Sequence, residues 1–553
     1  MDRWRRILAR LTWPQRPASI RWSALAALAA SLALVFVFQP ADLGFRQGHR
    51  GWVSAHTLAI IERATAENRF VGYTMSYAMD DGRELFYFDR YPVFFSAAMH
   101  AALHAGELKA GEKIHRARQL MNLIYVATVA MGVLLLLEVG MSVPVAVAAS
   151  AFAAMGYYLV EYRDMVHFDQ PALLGWMVLL WAIAGWYRGR GAARVYLATT
   201  FAVLWGRGYA SFAVLGVWWL LEAWGAAGRE GVRASFRTLL AAAPTRACLL
   251  GIGLGAACLA YNISVEASAR NVPVTEVSIV DSAARRLSLD AEFHDRIDKY
   301  VPWPRLISRQ SQSLLRSLMP WRRGNRVREV GMGSVVLALA VAGAAVAFAA
   351  TRPAPASKVL LLMCLAGPAW IFAMRDLSAF HSYVAIYYFP LTLVFFTALL
   401  HLIPPRAHLV AVILACGLGV WSSYRKDVVL TKAGRTAVQE TKDMQAVQRE
   451  LRRRRGIDAV AVAPRHKKLF RGVPFALGFY LPEHDIVADG RTTVVLSRGR
   501  GIDGTNLTPN NRRLFLFLAD KPYRVRTAIG SRWSSPKGRL ARQLRAREET
   551  APE

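Results

Sequence analysis

Acidic residues are scarce: 38 Asp plus Glu stand against 69 Lys plus Arg in 553 residues, a formal charge of +31. Scarcer still is charge of any sign inside the long apolar blocks that recur along a chain that is 54% hydrophobic. A soluble protein of this length divides into several domains with a polar surface. Charges cost about 2.5–3.5 kcal/mol each at a bilayer centre, so their absence from whole blocks excludes that class and points to lipid-exposed helices. There are only four cysteines, Cys248, Cys258, Cys364 and Cys416. All sit in apolar blocks without metal-ligand spacing, which implies packing residues rather than a disulfide framework. No Gly-rich dinucleotide or P-loop pattern falls between a strand and a helix. No internal repeat is visible, which weighs against a transporter built from inverted halves. No small-residue cleavage site stands before Gln39-Pro40, so the first apolar run reads as a retained signal-anchor helix.

What is there are apolar blocks near 22–38, 120–137, 142–160, 171–187, 239–261, 330–350, 357–374, 384–402 and 407–423. A longer one over 194–222 is interrupted by Gly206-Arg207-Gly208. A span needs about 20 residues, so this block is one over-long helix or two short ones meeting at Arg207. Residues 92–105 are too short to cross and read as a juxtamembrane helix. Basic residues mark cytoplasmic segments. The N-terminal arginines, 188–194, 225–238 and 351–358 all fall inside only if 92–105 stays outside and 194–222 crosses twice. The expected fold is therefore mainly α: a polytopic transmembrane helical bundle of about eleven helices in a bacterial inner membrane. Residues 1–21 form a cytoplasmic tail, and 22–424 the transmembrane domain with a periplasmic loop over 39–119.

After Tyr424 the composition changes. Residues 436–455 show helical spacing and end in the run Arg452–Arg455. Short β-type runs follow at Ala459–Ala463, Phe475–Tyr480, Thr492–Ser497 and Leu514–Leu518. This predicts a small periplasmic α/β domain over 425–530 and a disordered tail over 531–553. The positive excess lies in loops and tail, which favours membrane lipid headgroups over nucleic acid as partners.

Polar groups collect on the face that this topology puts outside. The first loop runs Asp42-Leu43-Gly44-Phe45-Arg46-Gln47-Gly48-His49-Arg50-Gly51-Trp52 and closes on Asp89-Arg90-Tyr91-Pro92. The second, from Tyr157-Tyr158, carries Arg163-Asp164-Met165 and Asp169-Gln170-Pro171. Trp205-Gly206-Arg207-Gly208 follows, then His381-Ser382-Tyr383 and Tyr387-Tyr388-Phe389-Pro390. Each has a plain structural reading. Asp169 is an N-cap before a proline, Asp89 a partner for Arg90, and Arg163-Asp164 an interfacial ion pair. Arg207 is the sharpest, since an arginine interrupting an apolar stretch is costly unless it faces a cavity or snorkels.

In their order along the chain these pieces resemble the GT-C class of membrane glycosyltransferases, which includes the protein O-mannosyltransferases and the aminoarabinose transferases of lipid A. The resemblance spans roughly residues 20–425 and lies in order and spacing rather than identities. The Asp-Glu pair common in the family's first loop is absent; His49 stands where an acid is usual, and a single Pro92 replaces a Pro-Pro. The resemblance implies transfer of a sugar from a polyprenyl-phosphate donor to an acceptor glycan, lipid or protein of the envelope at the periplasmic face. Asp42, His49 and Asp169 are then the candidate proton acceptors. Asp89, Arg163, Arg207, His381 and Tyr383 are the candidate substrate- and phosphate-binding residues. No metal-ligand cluster is evident, which leaves a divalent cofactor open. A lipid-linked glycan flippase and a non-catalytic scaffold are the alternative readings.

Overall fold

An apolar segment in lipid must satisfy its backbone internally, and helices do so. The computed structural model describes residues 18–39, 49–66, 73–75, 85–87, 91–230, 242–267, 301–321 and 332–429. In the C-terminal part it describes 459–462, 479, 485–486, 493–498, 505–506 and 514–519. The first half contains α1 (Ala18–Phe38), α2 (His49–Ala66), the hairpin strands β1 (Tyr73–Met75) and β2 (Leu85–Tyr87), α3 (Phe94–Leu103) and α4 (Ala110–Glu138). There follow α5 (Val143–Ala154), α6 (Tyr157–Tyr162), α7 (Asp169–Tyr187), α8 (Ala193–Leu204), a 3-10 turn (Gly208–Ala210) and α9 (Ser211–Glu230). The second half continues with α10 (Ala243–Ala267), α11 (Trp303–Ser317), α12 (Met332–Ala350), α13 (Ala354–Ala373) and α14 (Arg375–Phe380). A 3-10 turn (Ser382–Tyr388) then leads into α15 (Phe389–Leu402), and a last helix, α16, covers 408–429.

Seven of the described helical segments are long and apolar enough to cross a membrane. Starts are set locally: Pro144, Pro355 and Pro390 occupy first turns, where a missing N–H costs nothing. At the start of α4 the Lys109 amide donates to Glu112 Oε2 at 2.8 Å. α3 is ten residues long, about 15 Å, too short to span. The block expected as one span over 142–160 is two pieces. α5 stops at Ala154, Gly156 bridges to Pro320, and Tyr157 N donates to Met319 O at 2.9 Å before α6 begins.

α7 lies against α4, α8 and α13 and is buried along nearly its whole length. Its nineteen residues make a ruler of roughly 28 Å between the two ends of the bundle. Buried Glu138 lies at one end, with Arg190 at 3.1 Å, Arg188 at 3.7 Å and Arg194 at 3.8 Å. There too Glu222 takes Lys358 at 2.5 Å and the Tyr187 hydroxyl. The basic segments 188–194 and 351–358 therefore share one end of the bundle. Asp169 and Arg207 meet at the other end.

The first-loop helix α2 is fastened to the rest through Glu62, which lies 2.8 Å from Lys113 and 3.2 Å from His104. Further on, β3 (Ala459–Val462), β4 (Asp485–Ile486), β5 (Thr493–Arg498), β6 (Thr505–Asn506) and β7 (Leu514–Ala519) form one sheet in the order β4-β3-β5-β7-β6. β3 is parallel to β4 and β5, and β7 is antiparallel to β5 and β6. Residues 1–17, the helix expected over 436–455 and the tail 531–553 lie outside the described residues, as does the run 475–480 apart from Phe479.

Candidate active site

Between α8 and α9 the chain has to turn back inside an apolar environment, and the sequence Gly206-Arg207-Gly208 makes that turn possible. Gly206 has φ +64°, and a Cβ there would meet Phe168 O at 2.5 Å and Ala172 N at 2.7 Å. A Cβ on Gly208 would sit 1.6 Å from Val203 O. The Arg207 amide donates to Phe168 O at 3.0 Å, which pins the turn to the start of α7. Gly208→Ala is expected to force this backbone apart, at a cost of about 1–3 kcal/mol, the range for overpacked sites. The measurement is thermal unfolding of the purified full chain; an unchanged midpoint would contradict the close approach.

The turn delivers the Arg207 side chain, 1% exposed, to Asp169 at the first position of α7. Arg207 Nη2 lies 3.0 Å from Asp169 Oδ2, and the Tyr387 hydroxyl donates to Asp169 Oδ1 at 3.1 Å. His167 Nδ1 lies 2.6 Å from the same Oδ2. The guanidinium is ringed by Tyr91 at 5.0 Å, Tyr383 at 5.8 Å and Tyr209 at 5.9 Å. Tyr91 stacks on Tyr209 at 5.7 Å, and Asn262 Nδ2 of α10 holds its backbone carbonyl at 3.0 Å. His381 stacks on Tyr383 at 5.1 Å, and Tyr383 in turn lies 4.8 Å from His167. Val166 N donates to Ser54 Oγ of α2 at 3.1 Å, tying this loop to the first-loop helix.

Arg207 Nε and Nη1 are buried without a hydrogen-bonding partner among the described residues. A guanidinium held by one carboxylate, reached by the Tyr383 hydroxyl and walled by rings offers a buried fork of donors that suits an anion. Its counter-charge Asp169 is shared with His167. Burial, more than the neighbouring Arg207, holds the His167 imidazole below its ordinary pKa against the opposing pull of Asp169.

Four of the residues singled out in the sequence thus come together: Asp169, Arg207, Tyr383 and, through Tyr383, His381. Arg163 does not join them. It is fully buried and pairs with Asp427 of α16, beside Asp164 and Lys426 at 2.8 Å. His49 is the first residue of α2; Asp42 and Asp89 lie outside the described residues. Sequence reasoning passed over His167, Tyr91, Tyr209 and Tyr387 as site members. The available signal was proximity: three of the four sit within two residues of a residue already chosen, and Tyr387 shares the 3-10 segment Ser382–Tyr388 with Tyr383. No group of three or more His, Cys, Asp or Glu suited to a metal ion occurs among the described residues.

No family model and no curated protein sequence matches the chain. Solved structures do. ArnT from Cupriavidus metallidurans, in a crystal structure bound to undecaprenyl phosphate, aligns with a TM-score of 0.52 at 11% identity, over 89% of this chain and 97% of that one. The fold is that of the GT-C membrane glycosyltransferases. The mycobacterial arabinofuranosyltransferase AftD aligns at TM-score 0.46 and 13% identity, over 91% of this chain and 40% of its own. The oligosaccharyltransferase AglB from Archaeoglobus fulgidus, solved with an inhibitory peptide and a dolichol-phosphate, gives 0.46 and 11%, over 86% and 69%. Placed on the GT-C frame, this is a membrane protein whose Arg207–Asp169 cluster lies at one end of the helical bundle.

Proposed function

We propose that the chain is a membrane glycosyltransferase that moves a sugar from a polyprenyl-phosphate donor to an acceptor of the cell envelope. The observation that carries the reading is Arg207: a buried arginine ringed by tyrosines, at a helix break, in a fold shared with a protein solved with undecaprenyl phosphate. A charge in such a place is retained at a cost, and a phosphate that forms charge-assisted bonds offsets that cost. In this reading the chain crosses a bacterial inner membrane eleven times. Its N-terminus is cytoplasmic, and the site and the C-terminal α/β domain are periplasmic. The sorting of Arg188, Arg190, Arg194 and Lys358 to one end of α7 and of Asp169 and Arg207 to the other supports it.

Arg207 binds the departing phosphate, with Tyr91, Tyr209 and Tyr383 excluding water around it and His381 backing Tyr383. Asp169 orients its neighbours, while Asp42 and His49 of the first loop stay candidates for the proton acceptor and Asp89 for substrate binding. Arg163, paired with Asp427 in a separate cluster, lies apart from the ring of tyrosines around Arg207. The test is glycan, lipid and protein analysis of a deletion strain, followed by reconstitution of the full chain in vesicles. The expected result is one missing sugar decoration, restored by the wild-type gene, with transfer in vesicles. Net translocation of a lipid-linked glycan without transfer would replace this reading by a flippase.

A further inference from the structure

Binding and shielding of the phosphate leave the His167 imidazole unused. His167 stands two residues before Asp169, in the loop between α6 and α7, with its Nδ1 2.6 Å from the Asp169 carboxylate. Nδ1 is the buried ring nitrogen, while the side chain keeps 8% of its exposure. Nε2 is the ring nitrogen away from the Asp169 contact. The charged and titratable groups facing the ring come from every element packed around it. Asp169 comes from α7, Arg207 from the break between α8 and α9, Tyr383 from the 3-10 turn before α15, and Tyr91 from the segment before α3.

A carboxylate in ion-pair contact with Nδ1 favours the tautomer that carries its proton there, which leaves the Nε2 lone pair to accept another. The same carboxylate stabilises the imidazolium once it forms. Before that, burial keeps the ring neutral, the state a base must start in. We propose that His167 is the general base of the transfer, taking the acceptor's proton at Nε2 while Asp169 fixes the ring through Nδ1. The inference rests on the transferase reading and names its base. In the step, the acceptor hydroxyl or amine gives its proton to Nε2 and its lone pair forms the bond to the anomeric carbon. The bond from that carbon to the phosphate oxygen breaks, and the electron pair leaves on the polyprenyl phosphate, which Arg207 holds. His167 then releases the proton to water.

The experiment uses membranes of a deletion strain carrying the full-length wild-type chain, His167→Ala, His167→Gln or Asp42→Asn, assayed for the sugar that the deletion removes. Undecaprenyl phosphate binding to each purified chain is the check on folding and on the phosphate site. Expected are a loss of transfer of at least about 100-fold in both His167 variants, binding within about threefold of wild type, and partial rescue of His167→Ala, but not of Asp42→Asn, by added imidazole. The wild-type acid limb should fall at a pH below the ordinary histidine value. Wild-type transfer with His167→Gln retaining more than a third of it overturns the role of His167 and leaves the transferase intact; so does rescue of Asp42→Asn alone. Absence of any transferred sugar in wild-type membranes overturns the transferase reading itself.

Discussion

Arg207→Ala is expected to weaken undecaprenyl phosphate binding by about 30-fold to several thousand-fold and to abolish measurable transfer. The range follows from the cost of truncating one partner of a buried charge-assisted contact, about 2–5 kcal/mol, at about 1.4 kcal/mol per tenfold. Two effects contribute, and they separate experimentally. Removing the guanidinium takes away the phosphate's fork of donors. It also strands Asp169, which is fully buried with His167 and Tyr387 as its remaining neighbours. Thermal unfolding reads the second effect and equilibrium titration of the lipid in nanodiscs reads the first. Arg207→Lys sharpens the distinction: it keeps a cation for Asp169 but loses the planar fork, so stability should largely recover while affinity does not. Undiminished binding in Arg207→Ala would move the phosphate site elsewhere in the bundle.

Much of this architecture could be read from the chain because lipid punishes exceptions. Apolar blocks of spanning length, and the basic loops between them, mark helices and their ends without knowledge of any contact. Arg207 stood out for the same reason, as a charge inside an apolar block between two glycines. Its partner could not be read. Asp169 lies thirty-eight positions earlier, and its structural role as a helix start gave the same local signal as a functional one. His167 was hidden because a lone histidine in a loop carries no pattern; only the contact with Asp169 gives it one. The end of α16 was misplaced for a related reason. Arg425-Lys426-Asp427 looks like the close of an apolar block near Tyr424, yet the helix continues to residue 429. Lys426 and Asp427 are buried because Arg163 and Asp164 meet them, a complementarity separated by more than 260 residues and invisible to any local pattern.

That pairing of two dipeptides yields the second large expectation, an effect on stability. Lys426 and Asp164 are 0% and 1% exposed at 2.8 Å, so Lys426→Ala removes the ammonium that this buried carboxylate faces. Breaking one member of such a pair costs about 3–5 kcal/mol, and Asp164→Ala should cost about as much. Replacing both by apolar residues of similar volume, Asp164→Leu with Lys426→Met, removes the attraction and the desolvation cost together, so the double variant should recover most of the loss. Thermal unfolding of the wild type, Asp164→Leu, Lys426→Met and the double variant, all full length, closes the cycle. The same set bears on the site, because residues 163–168 run directly from this cluster to His167 and Asp169. If the pairs serve to hold that segment, transfer falls in both single variants and returns in the double variant along with stability. Recovery of stability without recovery of transfer would mean instead that the charges themselves, and not only the fit they impose, set the position of the Asp169 carboxylate.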